Sequence, residues 1–172
     1  MKHILSLVLA VVIVLVTVSL LSRSVMPEGA AVATRVEGTV MVFTGEAPAG
    51  RPVRMNDSVA KNDRVEVQGN SKLELRLPDG GYLRMPENTR LTVRMLQFEK
   101  RTGFMYLQAF LHNGKVWVNI NKRGTPDSRA DVITSTGLVI GKEAVYGVDA
   151  EEGAGTAIGV YEGAVRAMSA AG

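Results

Sequence analysis

No cysteine occurs in the 172 residues, which excludes disulfides, thiolate metal sites and a cysteine nucleophile together. A lipoprotein anchor is excluded as well, since that lipid is carried on a cysteine. Aromatic residues make up only 5%, so a core must be built from Val, Leu, Ile and Met. Histidine is nearly absent: His3 and His112 are the only two, and neither has a neighbour at metal-ligand spacing. Charge is missing altogether from residues 4–22, ILSLVLAVVIVLVTVSLLS, between Lys2 and Arg23.

At ~1.5 Å per residue that run reaches about 28 Å as a helix, enough to cross a hydrocarbon core of about 30 Å. Three readings compete: a cleaved secretory signal, a retained anchor and a buried core helix. The run is longer than a signal-peptide core, and the nearest small-x-small site, Ala31-Val-Ala33, lies well past its end, which favours the anchor. Residues 1–23 are therefore read as a signal anchor and residues 24–33, with Pro27 and Gly29, as a juxtamembrane linker. Residues 34–168 form the main domain and 169–172 a tail. Lys2 and Arg23 nearly balance in the positive-inside comparison, and a short N-terminus left inside with the domain exported is the expected orientation.

Beyond the linker the dominant period is two. In KLELRL at 72–77 leucines alternate with Lys72, Glu74 and Arg76, and in RLTVRM at 90–95 the apolar set is Leu91, Val93 and Met95. Similar runs fall at 34–43, 63–67, 104–111, 115–120, 131–134, 144–148, 157–160 and 164–167. Turn signals separate them: Gly69-Asn70, Asp79-Gly80, Asn113-Gly114 and Glu162-Gly163. LPDGGYLRM at 77–85 reads as a tight hairpin, with weaker echoes in HNGKVWV at 112–118 and YEGAVRA at 161–167. The pattern predicts an all-β domain of many short antiparallel strands. Residues 96–108 carry scattered apolar positions, but Gly103 interrupts them and Phe104, Tyr106 and Phe110 suit strands better than a helix.

Catalytic patterns are thin. His112 reads as a solvated turn residue before Asn113-Gly114. Asp149, Glu151 and Glu152 do not match a calcium-loop spacing and read as a solvated turn, as do Asp57 and Asp63. No nucleophile elbow is present, and GAGTAIG at 153–159 lacks the ending of a phosphate loop, so its glycines mark a hairpin tip. No cofactor or metal is expected, and the residues argue against an enzyme.

Charge is distributed unevenly. Residues 51–129 hold 15 Lys and Arg against 8 Asp and Glu, a balance of +7, whereas residues 131–172 hold 2 against 6, a balance of −4. If Leu75, Leu77, Leu83, Met85, Leu91 and Val93 point inward, then Arg76, Arg84, Arg90 and Arg94 share the opposite face. Such a face suits an anionic partner: a wall polymer, lipid headgroups or an acidic protein surface. Its alternative is a solvated strand face. Trp117 is out of phase with Val116, Val118 and Ile120, so it either meets a sugar or a protein or is core in a strand covered on both faces.

Four pieces in order resemble the FecR domain, an extracytoplasmic module: Gly38-Thr-Val40, VAKNDRVEVQGNSKLELRLPDGGYLRMPENTRLTV at 59–93, LHNGKVWVNI at 111–120 and VYEGAV at 160–165. The resemblance implies a twisted solenoid-like or sandwich-like β domain, used for contacts and signalling at the bacterial inner membrane, on its periplasmic or extracytoplasmic side. Two departures stand out. Gly141-Lys142 occupies the place of a Gly-Thr pair, and Met1, Lys2 and His3 are too few for the cytoplasmic sigma-factor-binding region that FecR regulators carry. The expectation is a single-pass, envelope-anchored, non-catalytic binding or signalling module with an envelope protein as partner and no nucleic acid. Arg76, Arg84, Arg90, Arg94 and Trp117 are its candidate contacts. The alternatives are a peptidoglycan- or carbohydrate-binding module and a structural subunit of an envelope assembly.

Overall fold

The computed structural model describes residues 29–45, 49–121, 125–151 and 153–170. The expected anchor at 4–22 lies outside the described residues, among which no helix is long and apolar enough to cross a membrane. Twelve strands follow one another: β1 (Ala31–Glu37), β2 (Val40–Thr44), β3 (Arg51–Pro52), β4 (Ser58–Val59), β5 (Asp63–Val67), β6 (Lys72–Arg76), β7 (Tyr82–Met85), β8 (Thr89–Glu99), β9 (Phe104–Asn119), β10 (Arg129–Ile133), β11 (Gly137–Glu151) and β12 (Gly155–Ser169). They join in one curled sheet with the order β3-β2-β5-β8-β9-β7-β6-β1-β4, to which β10, β11 and β12 attach through β9. All pairings are antiparallel except β9 with β10. The domain is thus all-β, as expected, with its strands connected in a single curled sheet.

Alternation builds the core as expected. Leu73, Leu75, Leu77, Leu83, Met85, Leu91 and Val93 are all buried within one apolar cluster that also takes in Val116, Val118, Ile120 and Tyr146. The phase breaks once in β8: a register shift between Val93 and Met95 leaves Met95 half-buried and turns Leu96 inward. The linker ends earlier than the sequence suggests. Ala31 and Ala33 are buried and pair opposite Val59 and Leu75, so β1 begins inside the segment assigned to the linker.

Asp79-Gly80 turns the chain as predicted. Gly80 has φ +88°, Gly81 N donates to Asp79 Oδ1 at 2.9 Å, and Asn121 N donates to Asp79 Oδ2 at 3.1 Å, tying the turn to the end of β9. The echoes at Asn113-Gly114 and Glu162-Gly163 are not reversals. Gly114 (φ +86°) and Gly163 (φ +76°) do adopt the left-handed conformation the turn reading required, but they use it for bulges inside continuous strands. The chain has no reason to fold back at Gly114, because both halves of β9 find ladder partners. Its first half pairs with β8 and β10 and its second with β7 and β11.

That bulge changes the face. Before it the even-numbered residues Tyr106, Gln108, Phe110 and His112 face outward, and after it the odd-numbered Lys115, Trp117 and Asn119 do. β12 is the outermost strand, paired to β11 alone among the described residues, and leaves Ile158, Val160, Tyr161 and Met168 exposed.

Candidate functional site

The bulge in β9 divides the five predicted contact residues into two groups. Arg76 on β6 and Arg84 on β7 lie beside the second half of β9, where Arg84 pairs directly opposite Trp117. Arg90 and Arg94 on β8 lie beside its first half. One basic face is therefore two.

Of the first group, Arg84 belongs to a cross-strand row running through six strands: Arg35, Glu74, Arg84, Trp117, Gly147 and Gly159. Charge alternates along its first three positions. Arg84 Nε donates to Glu74 Oε2 at 2.7 Å while its guanidinium lies 4.1 Å from the Tyr82 ring centroid, and Thr34 Oγ1 donates to Glu74 Oε1 at 2.9 Å. The hydrogen bond from Arg84 outweighs partial burial and holds the Glu74 carboxyl below its ordinary value, and the same contact raises Arg84. Arg76 stands exposed one row away, opposite Tyr82 and Val32.

Trp117 is half-buried on the outer face, not part of the core. It separates two grooves. One is lined by Trp117, Pro86 and Met85, with Arg35, Lys72, Arg84 and Glu74 around it. The other holds Lys115, Asp149, Gly147, Gly159 and Tyr161. Gly147 is what admits the indole: a Cβ there would lie 3.2 Å from Trp117 Cδ1 and 3.6 Å from Tyr161 Cε2. Trp117 Nε1 donates to Tyr161 Oη at 3.4 Å, and Lys115 Nζ sits 2.8 Å from Asp149 Oδ2. Asp149 is thus a strand residue with a cationic partner, not part of a solvated turn. Sequence reasoning missed Arg35, Lys72, Pro86 and Tyr161, because side chains brought together across strands that are distant in sequence leave no local signal.

Asp57 and Asp63 hold backbone N–H groups of their own loops. Asp57 Oδ2 accepts from Arg54 N and from Arg51 Nη1, and Asp63 Oδ2 accepts from Ala60 N at 2.9 Å. Among the described residues no three His, Asp or Glu side chains are grouped to hold a metal ion.

His112 is a strand residue, not a turn residue. Its ring meets Phe110 edge-on at 4.6 Å between centroids, and Nε2 lies 2.9 Å from Thr92 Oγ1. Partial burial, followed by Arg90, Arg64 and Arg94, holds its imidazole below the ordinary 6.5. The folded state therefore binds this proton less readily than the unfolded chain. Stability is complete above about pH 6.5 and declines as pH falls from there through the lower folded value. His112→Gln is expected to flatten that part of the stability–pH profile, measured by urea unfolding between neutral and mildly acidic pH.

The described residues form a curled β scaffold with an outer row of charged and aromatic side chains. Residues 63–166 match the family model described as FecR protein, and the chain belongs to the FecR family, whose members are generally signalling and regulatory modules. No curated protein and no solved structure matches the chain.

Proposed function

We propose that this chain is an envelope-anchored, non-catalytic FecR module that recognises a protein partner on the exported side of the bacterial inner membrane. The observation that carries this reading is the groove at Trp117. Its floor is apolar, and Arg35, Lys72 and Arg84 stand around it, three cations against two carboxylates, since Arg84 and Thr34 engage Glu74 and Arg35 engages Glu37. A partner segment with an apolar side chain beside an acidic one meets both requirements. The row is mounted on paired strands, so little side-chain and loop order has to be gained on binding. Residues 4–22 supply the tether, which confines the domain to the membrane and raises its effective concentration for a partner there.

The test places a photoreactive residue at Lys72 in the full chain and crosslinks intact envelopes. One envelope protein is expected in the adduct, and it is expected to be lost when Trp117→Ala is added. An adduct that Trp117→Ala leaves unchanged would contradict the proposal. The pair Trp117 and Tyr161 over Gly147 and Gly159 favours a second reading, a sugar-binding module. That reading predicts sedimentation of the full chain with purified cell wall, weakened by salt and by Trp117→Ala, and no protein adduct at Lys72.

A further inference from the structure

The first half of β9 carries a second cluster, away from the Trp117 groove, with Thr92 at its centre. Thr92 pairs directly opposite Arg64 on β5 and Phe110 on β9. Arg90 and Arg94 precede and follow it by two residues on its own strand, with outward side chains, and His112 touches its hydroxyl. A short hydroxyl side chain is thus ringed by three guanidiniums and an imidazole. Along a strand, positions two apart are about 7 Å from each other, and neighbours across a ladder are about 5 Å apart. The space these side chains enclose around Thr92 is therefore on the scale of one small anion.

Each wall is held by contacts that leave donors unused. Arg64 and Arg90 approach the same atom, Glu66 Oε1, through Nε at 3.2 and 3.1 Å. Each guanidinium carries five N–H donors, more than one shared carboxylate oxygen can take up, and the Arg64 guanidinium is braced 4.5 Å from the Phe43 ring. Arg94 has no carboxylate partner among the described residues and is braced 4.5 Å from the Phe110 ring. Three cations thus face one carboxylate, leaving a local charge of +2 beside a histidine that donates once or twice according to its protonation. On β10 the charged pair Arg129 and Asp131 stands opposite Tyr106 and Gln108, further down β9, and does not offset this charge.

We infer that the space walled by Arg64, Arg90, Arg94 and His112 around Thr92 binds a phosphate group. Guanidinium donors from three sides, a hydroxyl below and an imidazole at the edge suit a tetrahedral oxyanion better than a planar carboxylate, which one guanidinium can satisfy from one side. Binding draws a proton onto His112, because a dianion in contact with the ring favours the imidazolium.

The test is an NMR titration of His112 in the full chain, with the signal assigned by its loss in His112→Gln. Inorganic phosphate is compared with chloride at equal ionic strength, and sulfate serves as an oxyanion that does not titrate in this range. Phosphate and sulfate are each expected to raise the His112 midpoint by about one unit or more. Arg94→Gln, which breaks no ion pair among the described residues, is expected to abolish most of the shift. No shift beyond that in chloride, or an equal shift in Arg94→Gln, would overturn the assignment. Glycerophosphoglycerol, a deacylated lipid headgroup, separates the sources: a comparable shift assigns a phosphodiester headgroup, and a response confined to inorganic oxyanions assigns free phosphate.

Discussion

Replacing Gly114 by alanine is expected to destabilise the domain by about 3 kcal/mol, read as a lower urea midpoint at unchanged slope. Two costs combine. Gly114 has φ +86°, a conformation that L side chains resist, and an added Cβ would lie 2.6 Å from Asn88 O and 2.7 Å from Thr89 Cα. Those atoms have little room to retreat. Thr89 is buried, its Oγ1 donates to Lys115 O, and Lys115 N donates to Thr89 Oγ1, both at 3.2 Å. Gly153→Ala isolates the first cost, since that residue has φ +81° and nothing within 4 Å, and a loss of about 1 kcal/mol is expected there. The same bulge makes Trp117 face outward while Val116 and Val118 face inward, so Gly114→Ala is expected to weaken partner binding along with stability.

Tyr146→Ala is expected to cost more, about 4 kcal/mol in the same measurement. Tyr146 is fully buried on β11, and its hydroxyl donates to Ala130 O at 2.8 Å. Burial pushes the phenol far above its ordinary value, so it remains a donor at every pH the fold survives. Tyr146→Phe keeps the packing and removes this buried hydrogen bond, for about 1–2 kcal/mol. The ring also explains Gly141: a Cβ there would collide with Tyr146 Cε1. Gly141→Ala should therefore be destabilising in the wild type and much less so beside Tyr146→Ala, a coupling that a double-mutant cycle measures. The Gly141-Lys142 departure thus keeps the glycine that packing needs and changes only an exposed neighbour.

Local patterns in the sequence carried the inward leucines of β6 to β8, the Asp79-Gly80 turn and the positive φ at Gly114 and Gly163. They are legible because period-two burial and glycine conformation are properties of a few adjacent residues. What a left-handed glycine does is settled elsewhere. At Gly114 the outcome depends on whether the next residues find partners, and those partners, β7 and β11, are distant in sequence. How the arginines distribute along β9 was not legible for the same reason. Their inward and outward phase was right, but Arg84 and Arg90 are neighbours in sequence that lie along different halves of β9. His112 read as a turn residue because Asn113-Gly114 read as a turn, and its place beside Thr92 and three arginines follows only from the strand pairing.

In the proposed function, recognition belongs to the Trp117 row and not to the basic side as a whole. Crosslinking of the full chain in intact envelopes, followed by affinity purification and mass spectrometry, tests it with two charge reversals. Arg35→Glu with Arg84→Glu alters the row, and Arg90→Glu with Arg94→Glu alters the opposite half of β9 by the same charge. Loss of the partner in the first variant and its retention in the second, with both domains folded, is the predicted result. Retention in the first variant, or loss only in the second, would contradict the assignment of the site.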